Sequence, residues 1–324
     1  MASFHITVSD SVFPNLDPAR QVLATIGAEL RMADSPTPEG IVAAAATSDA
    51  LLVTYAKITA DMIGKMPKCR IISRFGIGVD NVDIEAATGA GIVVTKVPDY
   101  CIDEVSDHAM ALLLAIVRKI PSSSARTHSG RWEMKAVVPI HRLRGSVLGL
   151  AGFGRIPQLM APKAKAFGMT VVAYDPFVPD EAFSRAGVQR VDLPALLTSS
   201  DYISVHTPLT PETKHLFNRD TFGQMKRGAY IVNTARGPII DETALAEALD
   251  AGQIAGAALD VMTQEPPPPS PLFGRDNVII TPHTSFYSEE SLIELQMKAA
   301  QEVVAVLSGR SPRNPVNPEA LAHR

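Results

Sequence analysis

The chain has 324 residues, 46% hydrophobic and 20% charged, with a formal net charge of −4. That balance excludes a disordered chain, and the length exceeds one ordinary core and fits two domains. No basic block points to nucleic acid, and the longest apolar run, residues 109–117, is too short to span a bilayer. Two cysteines, Cys69 and Cys101, make no disulfide framework, and residues 1–6 carry no signal core, so a cytoplasmic protein is expected.

Ile6-Thr7-Val8 reads as a strand, residues 17–30 as a helix and 50–53 as a buried strand. Runs at 71–73 and 91–94 continue the series. Strands alternating with helices predict parallel pairing through right-handed crossovers. Residues 104–118 form a helix so apolar that burial between domains or at a subunit interface is expected. A polar stretch, 121–131, and a loop to 144 follow. A second series places strands at 146–151, 170–174, 202–205, 229–232, 256–259 and 278–280, and a final amphipathic helix covers 291–308. The fold class is therefore α/β, with two open parallel sheets.

The first strand of that second series runs into Gly152-Phe153-Gly154-Arg155-Ile156, and the next ends before Asp175. Glycine permits the tight turn and close approach of backbone to a pyrophosphate, and a helix N-terminus adds unpaired N–H groups. A carboxylate at 175 can accept both ribose hydroxyls of NAD and would repel the 2′-phosphate of NADP. A turn that merely joins strand to helix is the plainer alternative. Pro157 replaces the third glycine of the fingerprint, which predicts a slightly displaced helix start, and Pro162 is a candidate kink.

Three later segments put polar residues just past strands: Asn233-Thr234-Ala235-Arg236-Gly237, the run from Asp260 to Glu265-Pro266, and Thr281-Pro282-His283. Ligands gather at the carboxyl ends of parallel strands, so Arg236, Glu265 and His283 could converge. With Gly76-Ile77-Gly78-Val79-Asp80-Asn81-Val82-Asp83, Val97-Pro98-Asp99-Tyr100-Cys101 and Arg142-Leu143-Arg144-Gly145, they make nearly the whole chain resemble the D-isomer-specific 2-hydroxy-acid dehydrogenases. The likeness leans to their phosphoglycerate dehydrogenase-like and C-terminal-binding-protein-like members. It implies a Rossmann cofactor domain at 99–288, inserted into a flavodoxin-like substrate domain made of 1–98 and 289–324.

The resemblance also implies roles. His283 would exchange a proton with the substrate oxygen while hydride moves, Glu265 would hold its other ring nitrogen, and Arg236 would grip the substrate carboxylate. Backbone N–H groups of Ile77 and Gly78 would bind that carboxylate too. NAD would meet Gly152, Gly154, Arg155, Ile156, Asp175, His206, Thr207, Thr234, Ala235, Arg236, Asp260 and His283, with Asp260 near the nicotinamide carboxamide. The expected partners are a small 2-keto or 2-hydroxy acid and a second copy of the chain, with no nucleic acid and no membrane. An NAD-sensing corepressor-like protein is the alternative function.

Each residue has a plainer reading when taken alone. Arg236 could be a solvated surface group, Glu265 a loop residue, His283 a structural histidine and Asp260 a turn residue. Gly76-Ile77-Gly78 could be only a turn, and Asp83 is expected to cap a helix. Arg74 could face an anionic substituent or sit in an ion pair. Trp132 could anchor an interface or lie in the core. Pro266–Pro269 could be a rigid loop around Glu265 or a ligand for a proline-recognising domain. Phe286-Tyr287 stands where the family has small residues, which would reshape the pocket near the nicotinamide. The remaining histidines show no metal-ligand spacing, so no metal is expected. The sequence ends at Arg324, short of the regulatory region of longer phosphoglycerate dehydrogenases, and serine feedback through such a region is not expected.

Overall fold

The computed structural model describes residues 4–323, and the ends of the expected substrate domain, Met1, Ala2, Ser3 and Arg324, lie outside the described residues. The chain divides into two compact units, one made of 1–100 and 288–324, the other of 101–287. The first unit opens with β1 (His5–Val8), α1 (Asp17–Ala24), β2 (Glu29–Met32), α2 (Pro38–Ala45), β3 (Ala50–Val53), α3 (Ala60–Ile63), β4 (Ile71–Arg74), α4 (Ile84–Gly89) and β5 (Val93–Thr95). The second begins with α5 (Ile102–Val117), α6 (Ile120–His128), β6 (Val147–Ala151), α7 (Arg155–Ala166), β7 (Thr170–Tyr174), α8 (Asp180–Ala186) and β8 (Gln189–Arg190). It continues with α9 (Leu193–Ser199), β9 (Tyr202–Val205), α10 (Arg219–Gln224), β10 (Ala229–Asn233), α11 (Glu242–Asp250), β11 (Ile254–Leu259) and β12 (Val278–Ile280). The chain then returns to the first unit as α12 (Glu289–Leu307).

In the first unit the strand order is β2-β1-β3-β4-β5, and every pair is parallel. This is the flavodoxin-like order, with its reversal between β1 and β3. Ile41, Leu51, Val53, Met62, Ile72 and Val94 fill the core on one face of the sheet. Helices α1 and α12 pack as a pair, α1 against β2 and α12 against β4, where Ser73 Oγ donates to Ala299 O at 3.0 Å. The helix expected over 17–30 stops at Ala24, because the backbone turns at Gly27 (φ +67°) and Glu29 pairs with His5. Leu30 is thus a strand residue, the only buried position of β2. Asp83 caps α4 as expected, accepting from Ala86 N–H at 3.0 Å.

In the second unit the order is β12-β11-β10-β9-β6-β7-β8, again parallel throughout. Read from β8 this is the Rossmann order, with the reversal between β6 and β9. Successive strand residues point to opposite faces, so both faces need apolar cover. Ile203, Ile231 and Ala257 serve one core, while Tyr202, Val232 and Ala258 serve the other. Helix α5 belongs to the second of these cores through Ala109, Met110, Leu112, Leu113, Ile116 and Val117. Its apolar face is therefore buried against α7 and the sheet of its own unit. The polar stretch at 121–131 falls largely within α6, a helix with no buried residue. No helix among the described residues is long and apolar enough to cross a membrane.

Candidate active site

The Gly-rich turn lies where the strand order of the second unit reverses. Gly152 adopts φ +94°, and a Cβ there would stand 2.8 Å from the His206 carbonyl carbon and 2.9 Å from Thr207 N. Only glycine lets the exits of β6 and β9 approach this closely. Helix α7 starts at Arg155, directly after Gly154, and no side chain caps it. Gly154 and Arg155 are exposed, and the first N–H groups of a helix have no partner within it. The displaced start expected from Pro157 is not seen. Pro157 is the third helical residue, where its missing N–H has no helical acceptor, and Gln158 N–H closes the first turn on Gly154 O at 3.2 Å. The helix also runs on through Pro162.

Asp175, just past β7, uses both carboxylate oxygens on backbone. Oδ2 accepts from Phe153 N–H at 2.8 Å, and Oδ1 from Phe177 and Val178 N–H at 2.9 and 3.1 Å. It thereby fastens the Gly-rich turn to the β7 exit. Beside it Arg190 lies over the Phe183 ring at 5.2 Å and donates to Asp180 Oδ1 at 2.5 Å and Asp175 O at 2.8 Å. These four side chains help line a cavity of about 780 Å³.

Past β9 and β10, the hydroxyls of Thr207 and Thr234 are buried and make no hydrogen bond. Orphaned polar atoms of this kind need a partner. With the uncapped start of α7 and the glycine-lined approach, they fit a ligand rich in hydroxyls and phosphates, as a dinucleotide is. His206 Nε2 pairs with Ser204 Oγ at 2.9 Å, and burial pushes its imidazole down to about 3. Part of the residue's surface stays open, yet the ring sits in the interior and is neutral at physiological pH.

The three remaining segments meet through backbone. Asn233, buried at the end of β10, accepts from Ala235 N–H and donates to Arg236 O, both at 2.9 Å. Its carbonyl accepts Asp260 N–H at 2.9 Å. Arg236 is half-buried, with one guanidinium nitrogen on Ala235 O at 2.8 Å. A Cβ on Gly237 would overlap the Met262 carbonyl, so this glycine lets the arginine segment lie against the segment that carries Glu265. Glu265 Oε1 accepts from Met262 N–H at 3.0 Å, and Oε2 lies 2.6 Å from His283 Nδ1. His283 sits in the left-handed region at φ +52°, held by its N–H to Asp260 O at 2.8 Å. The Phe286 ring stands edge-on to the imidazole, with centroids 6.1 Å apart.

Asp260 is fully buried, and its carboxylate accepts from Thr281 Oγ1, Thr284 N–H and Ser285 N–H. Its visible work is to anchor the segment after β12. Ile77 and Gly78 belong to the first unit, half-buried after β4, where Gly76 takes φ +156° against the Arg74 guanidinium. Arg74 is buried, and donates to Phe75 O and, at 3.2 Å, to Asn81 Oδ1. Trp132 is not a core residue: it is 89% exposed. Among the described residues no group of three His, Cys, Asp or Glu is placed to hold a metal ion.

Sequence reasoning gave no role of their own to Asn233, Gly237 and Thr281, which it met only inside motifs, and none to Glu242 or His108. Glu242 accepts from Thr263 N–H at 2.6 Å, across 21 residues, and His108 reaches Thr281 across 173. Gly237 alone carried a local signal, as a glycine directly after the arginine.

Two parallel-sheet units, with an Arg, a Glu–His pair and a Gly-rich turn on the strand exits of the second, define a Rossmann-type scaffold. Residues 110–285 match the family described as D-isomer specific 2-hydroxyacid dehydrogenase, NAD binding domain. The chain belongs to that family. It is 42% identical over 306 residues to D-3-phosphoglycerate dehydrogenase of Methanocaldococcus jannaschii, across 94% of this chain and 58% of that protein. The chain thus spans less than two thirds of such curated relatives. The TT0316 protein from Thermus thermophilus is 35% identical, with a TM-score of 0.86 over 97% of this chain and 100% of that one. D-Lactate dehydrogenase from Aquifex aeolicus, solved with NAD and lactic acid, is 28% identical, with a TM-score of 0.83 over 94% and 96%.

Proposed function

We propose that the chain is an NAD-dependent oxidoreductase that moves hydride between NAD(H) and a D-2-hydroxy acid or its 2-keto acid. The observation that carries this reading is the His283–Glu265 pair, 2.6 Å apart at the exits of a Rossmann sheet. Two of the named relatives carry the name of a dehydrogenase, which favours an enzyme over a corepressor-like sensor.

The residues that would hold NAD are Gly152, Gly154, Arg155 and Ile156 at the start of α7, Asp175 at β7, His206 and Thr207 at β9, Thr234, Ala235 and Arg236 at β10, with Asp260 and His283 at the remaining exits. Bound there, NAD supplies the hydride acceptor or donor. Glu265 holds Nδ1 of His283, so proton exchange with the substrate oxygen falls to Nε2. Glu265 also stabilises the imidazolium, as a carboxylate on the far ring nitrogen does. Arg236 offers a planar donor fork to the substrate carboxylate. Ile77 and Gly78 are retained as substrate-binding positions. In this reading residues 1–98 and 289–324 serve the substrate and 99–288 the cofactor.

A homodimer and a cytoplasmic location complete the proposal. Residues 120–138, a stretch without a buried residue, carry Ile120, Trp132, Met134 and Val138, all exposed. Light scattering after size exclusion reads the dimer, and cell fractionation reads the location. Steady-state assays of glyoxylate, hydroxypyruvate, the keto form of phosphoglycerate and longer 2-keto acids, with NADH and NADPH, test the activity. His283→Ala should lower turnover by about 10²–10⁴-fold, the scale of a general acid–base. Wild-type turnover in that variant refutes the assignment, and tight NADH binding without turnover on any acid supports a sensor instead.

A further inference from the structure

We infer that His108 is a positioning residue for His283, acting through Thr281 and Asp260. The inference rests on the reading of His283 given above. His108 lies on α5, three residues after Val105 and four before Leu112, both buried, so it shares the helix face that packs on β11 and β12. From there Nε2 stands 3.2 Å from Thr281 Oγ1 and 3.6 Å from Asp260 Oδ1.

The hydroxyl fixes the direction of this chain. Thr281 Oγ1 donates its one hydrogen to Asp260 Oδ1 at 2.6 Å, so toward His108 it can only accept. His108 therefore donates through Nε2–H. Beyond Thr281, one carboxylate pins the whole segment after β12. Asp260 accepts Thr284 N–H at 2.9 Å and Ser285 N–H at 2.8 Å, and its carbonyl accepts His283 N–H at 2.8 Å. The side chain of Asp260 is 0% exposed, and among the described residues no lysine or arginine pairs with it. A buried carboxylate depends on donors, direct or relayed. His108, 26% exposed, closes the set from the solvent side. Loss of its N–H would loosen Thr281 and Asp260, and with them the left-handed backbone that aims the imidazole of His283.

The test compares His108→Leu, His108→Gln and Thr281→Val with wild type. Hydrogen–deuterium exchange over residues 281–287 is measured on every variant, with kcat, the KM for NADH and the melting temperature. In His108→Leu we expect faster exchange across 281–287 and a kcat about tenfold lower, with KM for NADH within twofold of wild type. His108→Gln, whose amide N–H can reach Thr281 Oγ1, should restore most of both. The double variant His108→Leu/Thr281→Val should be no worse than the worse single one. Wild-type exchange and kcat in His108→Leu, or a Gln variant no better than Leu at equal melting temperature, overturns the inference. Should His108→Leu fail to fold, Thr281→Val and His108→Gln give the same reading. A wild type without turnover on any 2-keto acid defeats the dehydrogenase reading, while the exchange contrast still decides whether His108 pins the segment.

Discussion

Replacing Glu265 by glutamine separates the charge of the His283 partner from its shape. The carboxylate offers one oxygen to Met262 N–H at 3.0 Å and the other to His283 Nδ1 at 2.6 Å. Glutamine has one accepting end and one donating end. If its oxygen stays on Met262, the amide NH₂ faces Nδ1, and the imidazole can no longer carry protons on both nitrogens without opposing a donor. If the amide flips, NH₂ meets Met262 N–H, a mismatch that costs about 1–3 kcal/mol. A hydrogen bond to a charged group contributes about 1.5–3 kcal/mol. The two side chains remain 24% and 34% exposed, so solvent screening favours the lower part of that range, about 1.5–2 kcal/mol. At tenfold per 1.36 kcal/mol, kcat should fall about 10–30-fold. The KM for NADH should stay put, since no cofactor contact is removed. The assay is steady-state NADH oxidation with the preferred 2-keto acid, with a thermal melt as a control for folding. A kcat within twofold of wild type at an unchanged melting temperature would show that the pair is not the proton-exchange centre.

Asp175→Ala strips the acceptor from three backbone N–H groups. It should lower stability by about 1–3 kcal/mol in urea denaturation and weaken NADH binding, measured by fluorescence titration. Stability equal to wild type would refute the anchoring role, and wild-type kcat/KM that is the same for both cofactors would refute NAD preference. For His206 the folded state holds the imidazole at about 3, below its ordinary 6.5, so below pH 6.5 the unfolded chain binds more protons. Stability is therefore complete above pH 6.5 and declines as pH falls toward 3. His206→Gln should flatten that decline, by about 1–2 kcal/mol between pH 6.5 and 5, in urea melts at the two pH values. Parallel curves for the two proteins would show that His206 titrates freely when folded.

What could be read in the chain was whatever repeats locally. The β-rich runs of β3, β6, β7 and β9–β11 stand out because strands buried on both faces are continuously apolar. The motif residues stand out because each ends a strand. β2 was hidden in Glu29-Leu30-Arg31-Met32, an edge strand with one buried residue whose alternation is only four residues long and follows directly on a helical pattern. Helix α6 was hidden because it buries nothing, so no apolar stripe marks it. The apolar face of α5 was visible, but its destination was not, because periodicity tells how much of a helix is buried and not against what. His108 was silent for another reason: its partners lie 152 and 173 residues away in sequence, and only the sheet brings them near.

The close approach at Gly152 also limits how this site can change. At the reversal point the wall of the cleft is made of main chain, Gly152 on one side and the carbonyl of His206 on the other. Main chain presents the same amides whatever the residue type, so mutation cannot readily redecorate that wall. Variation in cofactor choice must act from the rim, at Asp175 and the residues its carboxylate holds. There the residue proposed to discriminate between cofactors also braces the turn, so a shift toward NADPH by substitution at 175 alone should start with a stability deficit that second-site changes must first repair.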